Sequence, residues 1–229
     1  MTSPPVLRNS LVLDRDGAER FAGLATNMLP ALFAIFADHP PAAAGTRLFD
    51  HAPLRSLLGP DSAITALAMG LVGSQVIPVR AILFDKSAAA NWGLGWHQDR
   101  VIAVRSRVDL PGFGPWSIKR GVPHVAPPWS VLSAIRTLRV HLDPVPHDNA
   151  PLLIAPGSHR LGIVAESDIE DVAARLGSHA CLAEAGDVWA YATPILHASA
   201  PSNRGRHRRV LHLDYAVPDL PAGLDYRGL

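Results

Sequence analysis

Apolar side chains recur along this chain with two different periods, and the change of period divides it. Between residues 16 and 39, Phe21, Leu24, Met28, Leu32, Ile35 and Phe36 follow the three-to-four-residue spacing of a helix. Pro30 is expected to kink or split that helix. Residues 61–73, DSAITALAMGLVG, are rich in Ala and Leu and read as a second helix, with Asp61 as its N-cap and its end near Gly70 or Gly73. From Ser74 onward the segments become short and rich in β-branched residues, as strands require. Strands are expected at 74–85, 101–107, 135–143, 151–155, 187–191 and 208–216. One helix interrupts them at 165–177, with a capping box of Ser167 and Glu170.

Many short strands between Pro and Gly turns predict a mainly β protein with flanking helices, a barrel or jelly roll. Residues 1–73 would form a mostly helical N-terminal part and 74–216 the β core of a single domain spanning 1–229. Residues 108–130 show neither period, and a loop that long in a compact domain is usually functional or mobile. Phe113, Trp116, Lys119, Arg120 and Trp129 within it mix aromatic rings with cations. The expectation is a lid over a pocket, against a surface excursion capped by its own aromatics.

Composition narrows the class. The chain has 229 residues, 48% hydrophobic and 18% charged, which supports a sizeable core. A net charge of +1 argues against a general nucleic-acid binder. The single cysteine, Cys181, excludes a disulfide framework and a cysteine zinc site. No apolar run is long enough for a signal peptide or a membrane span, so a cytoplasmic protein acting on a small molecule is expected. Oligomeric state is left open.

The candidate chemistry sits in NWGLGWHQDR, residues 91–100. Residues i and i+2 of a strand share a face, so His97 and Asp99 would present an imidazole and a carboxylate side by side. Two such ligands and a second histidine make the facial site of non-haem Fe(II). His-x-acid pairs are weak evidence alone, because this composition produces one by chance and the chain has three: His97/Asp99, His141/Asp143 and His212/Asp214. Position favours His97, which has a distal partner in His197, followed by the basic cluster Arg204, Arg206, Arg208 and Arg209. An arginine opposite a metal suits a dicarboxylate, which its guanidinium grips through two parallel hydrogen bonds. Structural histidines with a solvated basic turn are the competing reading.

Taken together, LFDK (83–86), NWGLGWHQD (91–99), APGSHR (155–160), LHAS (196–199) and HRRVLHLDYA (207–216) resemble the phytanoyl-CoA dioxygenase family of Fe(II)/2-oxoglutarate oxygenases. The resemblance covers about residues 80–216 and implies a double-stranded β-helix, the cupin-like jelly roll. It implies His97, Asp99 and His197 as iron ligands. It implies Arg208, eleven residues after His197, as the clamp on the distal carboxylate of 2-oxoglutarate, with Arg209 as fallback. Ser199 matches a further cosubstrate contact, and Lys86 either closes over the site or is a turn lysine. The implied reaction consumes 2-oxoglutarate and O2, releases succinate and CO2, and hydroxylates or otherwise oxidises an unactivated C–H bond. Because Asp99 is present, hydroxylation is favoured over halogenation.

Three departures from the family pattern stand out. Asn149-Ala150-Pro151 replaces a common Asn-Gly, so a locally different turn is expected. Arg139 stands where an aromatic is usual, and Thr137, Arg139 and His141 would form one face of a strand, lining the pocket or exposed at a sheet edge. Residues 108–130 do not reveal the substrate, although Arg139 and the lid cations suggest an anionic metabolite. Trp92 is expected in the core, Trp96 either there or walling the iron, and Trp116 near the pocket. A cupin-like metal hydrolase or isomerase, and a non-catalytic binding jelly roll, remain the alternatives.

Overall fold

The computed structural model describes residues 11–39, 45–203, 206–221 and 223–229; Arg204 of the basic cluster lies outside them. The N-terminal segment departs from one long helix. It forms α1 (Leu13–Asp16), β1 (Ala18–Phe21) and, after a 3-10 turn, α2 (Leu29–Ala37). Gly17 ends α1 in the left-handed region, at φ 82°, and releases the chain into β1, which pairs with a later strand instead of continuing the helical spacing. Pro30 sits in the first turn of α2, where its missing N–H costs nothing, so it starts the helix rather than kinking it.

β2 (Thr46–Leu48), α3 (Ala52–Leu57) and α4 (Ala63–Val72) follow. Ser62, not Asp61, occupies the N-cap position of α4, and Gly73 closes it. The part before residue 74 is thus helical with two strands of its own.

The remaining strands are β3 (Ile77–Lys86), β4 (Leu94–His97), β5 (Ile102–Ala103), β6 (Trp116–Lys119), β7 (Val122–Val125), β8 (Arg136–His141), β9 (Leu152–Ile154), β10 (His179–Cys181), β11 (Val188–Ala192), β12 (His197–Ser199) and β13 (Arg208–Ala216). Two helices interrupt them, α5 (Trp129–Leu132) and α6 (Ile169–Leu176). Asp168 precedes α6 as N-cap without a side-chain cap bond, and Ser167 donates to Asp168 instead, so the Ser167/Glu170 box does not form.

All pairings are antiparallel. The major sheet runs β1-β11-β8-β13-β3-β2 and the minor sheet β10-β9-β12-β4. Residues 108–130 are not an irregular loop: β6 and β7 form a hairpin, which with β5 makes a third small sheet. Its turn is Arg120-Gly121, both residues left-handed at φ 51° and 78°, the geometry that matches strand twist in a two-residue hairpin. The segment lacks a visible period because Pro115, Pro123 and Gly121 break its apolar spacing.

Period-two alternation sorts the major sheet into two chemically different faces. Leu211, Leu213 and Tyr215 of β13, Leu138 and Val140 of β8, and Ala81 and Leu83 of β3 pack against α2, α3 and α4 in the largest core cluster. The intervening residues, including Arg208, His212, Asp214, Thr137, Arg139, Arg80 and Lys86, turn the other way. A second cluster joins Ile154, Cys181, Trp189, Tyr191 and Ile195 between the two sheets. The helices therefore cover one face of the major sheet with hydrocarbon and leave the other face free to carry polar chemistry.

Candidate metal centre and its pocket

β4 ends at His97 and β12 begins at His197. The two strands pair with these residues as direct partners, their ring centroids 4.1 Å apart. Asp99 lies in the loop after β4, so same-face strand geometry is not what delivers it. Gln98 does that work. Its side chain, almost wholly buried, donates to Gly162 O (3.0 Å) and Pro194 O (2.9 Å) and accepts from Val164 N–H (3.0 Å). Pinned on that side, the backbone turns Asp99 back toward the histidines. One ligand atom each from His97, Asp99 and His197 lies within 4.8 Å of the others, the one such cluster of three among the described residues.

The chemistry of the donors suits a divalent metal. His97 Nδ1 lies 2.8 Å from Gly95 O and His197 Nδ1 lies 2.9 Å from Ile195 O. Each carbonyl accepts a hydrogen bond from Nδ1–H, which leaves the Nε2 lone pair for an ion. Burial, reinforced by the neighbouring His97 ring, pushes His197 down to about 4, so at neutral pH it is in the ligating form. Burial alone would raise Asp99, but the Arg80 guanidinium, with the His197 and His212 rings, overrides it and holds the carboxyl well below its ordinary range.

Arg80 was not legible as a site residue, and it organises the network beneath Asp99. Its Nη2 is 2.5 Å from Asp99 Oδ2 and its Nε is 2.5 Å from Asp214 Oδ2. Asp214 in turn accepts from Thr137 Oγ1 (2.7 Å) and lies 3.0 Å from His212 Nε2. The third His-x-acid pair is therefore a support for the first. Alternation along β3, with Arg80 two residues before Ile82 on the same face, is the signal that marks it.

A cavity of about 310 Å³ opens over these ligands. Ile82, Phe84, Trp92, Leu94 and Leu152 supply its apolar wall. Arg139, Lys86, Arg208 and Ser199 gather at one end. Lys86 Nζ donates to Ser199 Oγ (2.8 Å) and Ala200 O (2.6 Å) and stands 5.2 Å from the Trp92 ring. It is fully buried, and burial followed by the Arg208 and Arg139 charges lowers it to about 7.

Arg208 is Lys86's direct partner across β13 and β3 and donates to Ser199 Oγ (3.1 Å) and to Ala150 O. Burial, then Arg139, brings it down to about 9, still charged at neutral pH. Arg209 points the other way. It pairs with Asp143 (2.7 Å) and stacks over Phe33 of α2 at 4.5 Å.

Other candidates fall elsewhere. Trp92, not Trp96, lines the cavity; Trp96 packs against the α6 cluster of Ile169, Val172 and Leu196. Trp116 belongs to the small-sheet core and faces Arg107 at 5.5 Å, outside the cavity. The Thr137–Arg139–His141 face is buried, because β8 lies inside the major sheet between β11 and β13 and not at its edge. Of the three, Arg139 lines the cavity. Thr137 is occupied by Asp214 and Thr193, and His141 sits behind with neither ring nitrogen partnered. Ala150 holds φ 49°, a conformation glycine adopts freely, so the altered Asn-Ala turn is still left-handed.

A jelly roll that converges two histidines and one carboxylate, with the rest of the sphere open, is the framework of the non-haem iron oxygenases. The chain belongs to the phytanoyl-CoA dioxygenase (PhyH) family, whose profile matches residues 13–210. That membership makes it a dioxygenase of the iron- and 2-oxoglutarate-dependent class.

Solved structures share the fold. EctD from S. alaskensis with bound Fe is 21% identical at a TM-score of 0.66, covering all of this chain and 86% of that one. HygX from Streptomyces hygroscopicus with nickel and 2-oxoglutarate bound is 14% identical at 0.59, covering 93% and 87%. EvdMO1 is 21% identical at 0.63 over 90% of this chain, which spans about half of it (49%). Searched against curated proteins, the sequence finds no match. No helix among the described residues is long and apolar enough to cross a membrane.

Proposed function

We propose that the protein hydroxylates, or otherwise oxidises, an unactivated C–H bond of a small anionic metabolite in the cytoplasm. Fe(II) would be held by His97, Asp99 and His197. The observation that carries this is the pairing of His97 with His197 across two strands, with Asp99 turned onto the same point and both Nε2 atoms left free. When bound there, Fe(II) and 2-oxoglutarate would supply the oxidising power, with O2 consumed and succinate and CO2 released.

The chain's own residues do the rest. Arg208 offers a buried guanidinium, and Ser199 and Lys86 offer hydrogen bonds, to the distal carboxylate of 2-oxoglutarate. Trp92, Phe84, Ile82, Leu94 and Leu152 keep bulk water from the reacting carbon. Asp99 occupies the position that a halogenase leaves vacant for an anion, which favours hydroxylation. The solved neighbour HygX, with nickel and 2-oxoglutarate bound, supports the cosubstrate assignment by likeness of fold. The test is anaerobic addition of Fe(II) and 2-oxoglutarate. A weak visible charge-transfer band is expected, and its absence alongside tight zinc binding would instead indicate a hydrolase or isomerase.

A further inference from the structure

Positive charge in the cavity is divided between two separate places. Lys86, Arg139 and Arg208 occupy the interior end, where β3, β8 and β13 adjoin. Arg47 and Arg120 occupy the opposite margin, at the β2 edge of the major sheet. Arg47 is partnered in register with Ile82, so it faces the cavity with the apolar wall. Arg120 reaches the same margin from the hairpin turn, where its left-handed backbone aims it inward and its Nη1 approaches Gly45 O at 3.4 Å.

These two guanidiniums lack counter-ions. Among the described residues no carboxylate lies within ion-pairing distance of either, and the buried Nε of Arg47 has no hydrogen-bond partner. The residues outside the described ranges contain no Asp or Glu to supply one. Asp99 is the cavity's only carboxylate, and Arg80 already engages it. Burial lowers the pKa of Arg47, the charges of Arg80 and Arg120 lower it further, and the more distant Asp99 offsets only part of this. Arg47 is partly buried and Arg120 exposed, and two such like charges facing one another at a cavity mouth repel unless an anion relieves them.

We propose that Arg47 and Arg120 clamp an oxyanion, a carboxylate or phosphate, of the substrate itself, separately from the interior cations that take 2-oxoglutarate. The two-pole arrangement rests on the functional reading above. It orients the substrate: the oxyanion lies at the sheet edge, and the carbon to be oxidised lies inward along Ile82 and Phe84, over the three ligands. A volume of about 310 Å³, at the small end of ligand pockets, must also hold the cosubstrate. The enclosed part of the substrate is therefore small.

Ni(II)-loaded protein saturated with 2-oxoglutarate tests this by ligand-observed NMR, with inorganic phosphate and acetate as separate probes. The preferred probe identifies the oxyanion. Binding of at least one probe is expected to survive saturation with 2-oxoglutarate. It should weaken about tenfold in Arg47→Gln/Arg120→Gln while 2-oxoglutarate affinity stays put. Arg120→Gln alone, on an exposed turn, keeps the fold and should show part of the loss. Arg208→Gln should do the reverse. Neither probe binding the saturated protein, or binding indifferent to both substitutions, overturns the clamp. If 2-oxoglutarate itself fails to bind, the oxygenase reading falls, whereas probe binding that depends on Arg47 and Arg120 in the unloaded protein would still uphold the clamp.

Discussion

Arg80 holds the metal-ligand candidate Asp99 through a 2.5 Å contact and reaches Asp214 with its other edge at the same distance. One guanidinium thus sets the orientation of a carboxylate that must face an ion, and its own charge is balanced from below. Arg80→Gln is expected to weaken Fe(II) or Ni(II) binding about 10–100-fold, the usual effect of removing a ligand's outer partner. It also breaks a buried pair and so destabilises the fold by about 3–5 kcal/mol. Arg80→Gln/Asp214→Asn separates the two effects: stability should recover and metal affinity should not. Metal titration beside thermal unfolding reads both.

Arg208 and Arg209 are adjacent and should behave as unlike residues. Arg208→Ala is expected to raise the apparent requirement for 2-oxoglutarate by about tenfold or more, since it removes a buried charge-assisted contact. Arg209→Ala should leave that requirement alone. It should cost about 1 kcal/mol of stability through the Asp143 pair and the Phe33 stack. Equal effects of the two on cosubstrate dependence would contradict the parity of β13.

His141 is buried with both ring nitrogens unpartnered, and burial, then Arg139 and Arg208, holds it well below the ordinary 6.5. Below that value the unfolded chain takes up a proton that the folded chain refuses, so stability falls as pH drops from 6.5. His141→Leu should make this acid limb shallower, the other depressed histidines such as His197 keeping the rest of it, and add about 1–2 kcal/mol at neutral pH by removing an unsatisfied polar group. Chemical denaturation across the acid range measures it.

Lys86 is depressed from 10.5 to about 7. Between those values the unfolded chain carries the extra proton, so this group's cost is complete below about 7 and is relieved as pH rises toward 10.5. Lys86→Met should be more stable than the parent at and below neutral pH, by about 1.4 kcal/mol or more. The gap should close at alkaline pH. The same substitution should weaken 2-oxoglutarate binding, because a bound carboxylate would add a counter-ion to the hydrogen bonds that Lys86 already makes.

What the sequence revealed follows from how local each signal is. β13 was legible to the residue because Leu211, Leu213 and Tyr215 alternate with His212 and Asp214 along it. His97, Asp99 and His197 were legible because motif order survives in one dimension. β1 was hidden, because Phe21 and Leu24 satisfy a helical spacing that pairing with β11 overrides. Arg80, Gln98 and Arg47 carry no motif. Their importance comes from what meets them in the folded chain, and beyond the alternation that puts Arg80 on the polar face of β3, nothing in their neighbours along the chain reports that. Trp92 left its expected place in the core, and the open choice for Trp96 fell to the core, for the same reason: which ring meets α6 is decided by a helix that begins 73 residues after Trp96.

The split between the two faces of the major sheet also limits how this protein can vary. A residue exchanged within β13 disturbs one layer, hydrocarbon or polar. A single residue inserted or deleted inside it would swap the layers for every position beyond, driving an arginine into the helices and a leucine toward the ions in one stroke. Drift by substitution is open to this strand, and drift in length is closed. Length changes should accumulate instead in the connections, such as the hairpin that carries Arg120.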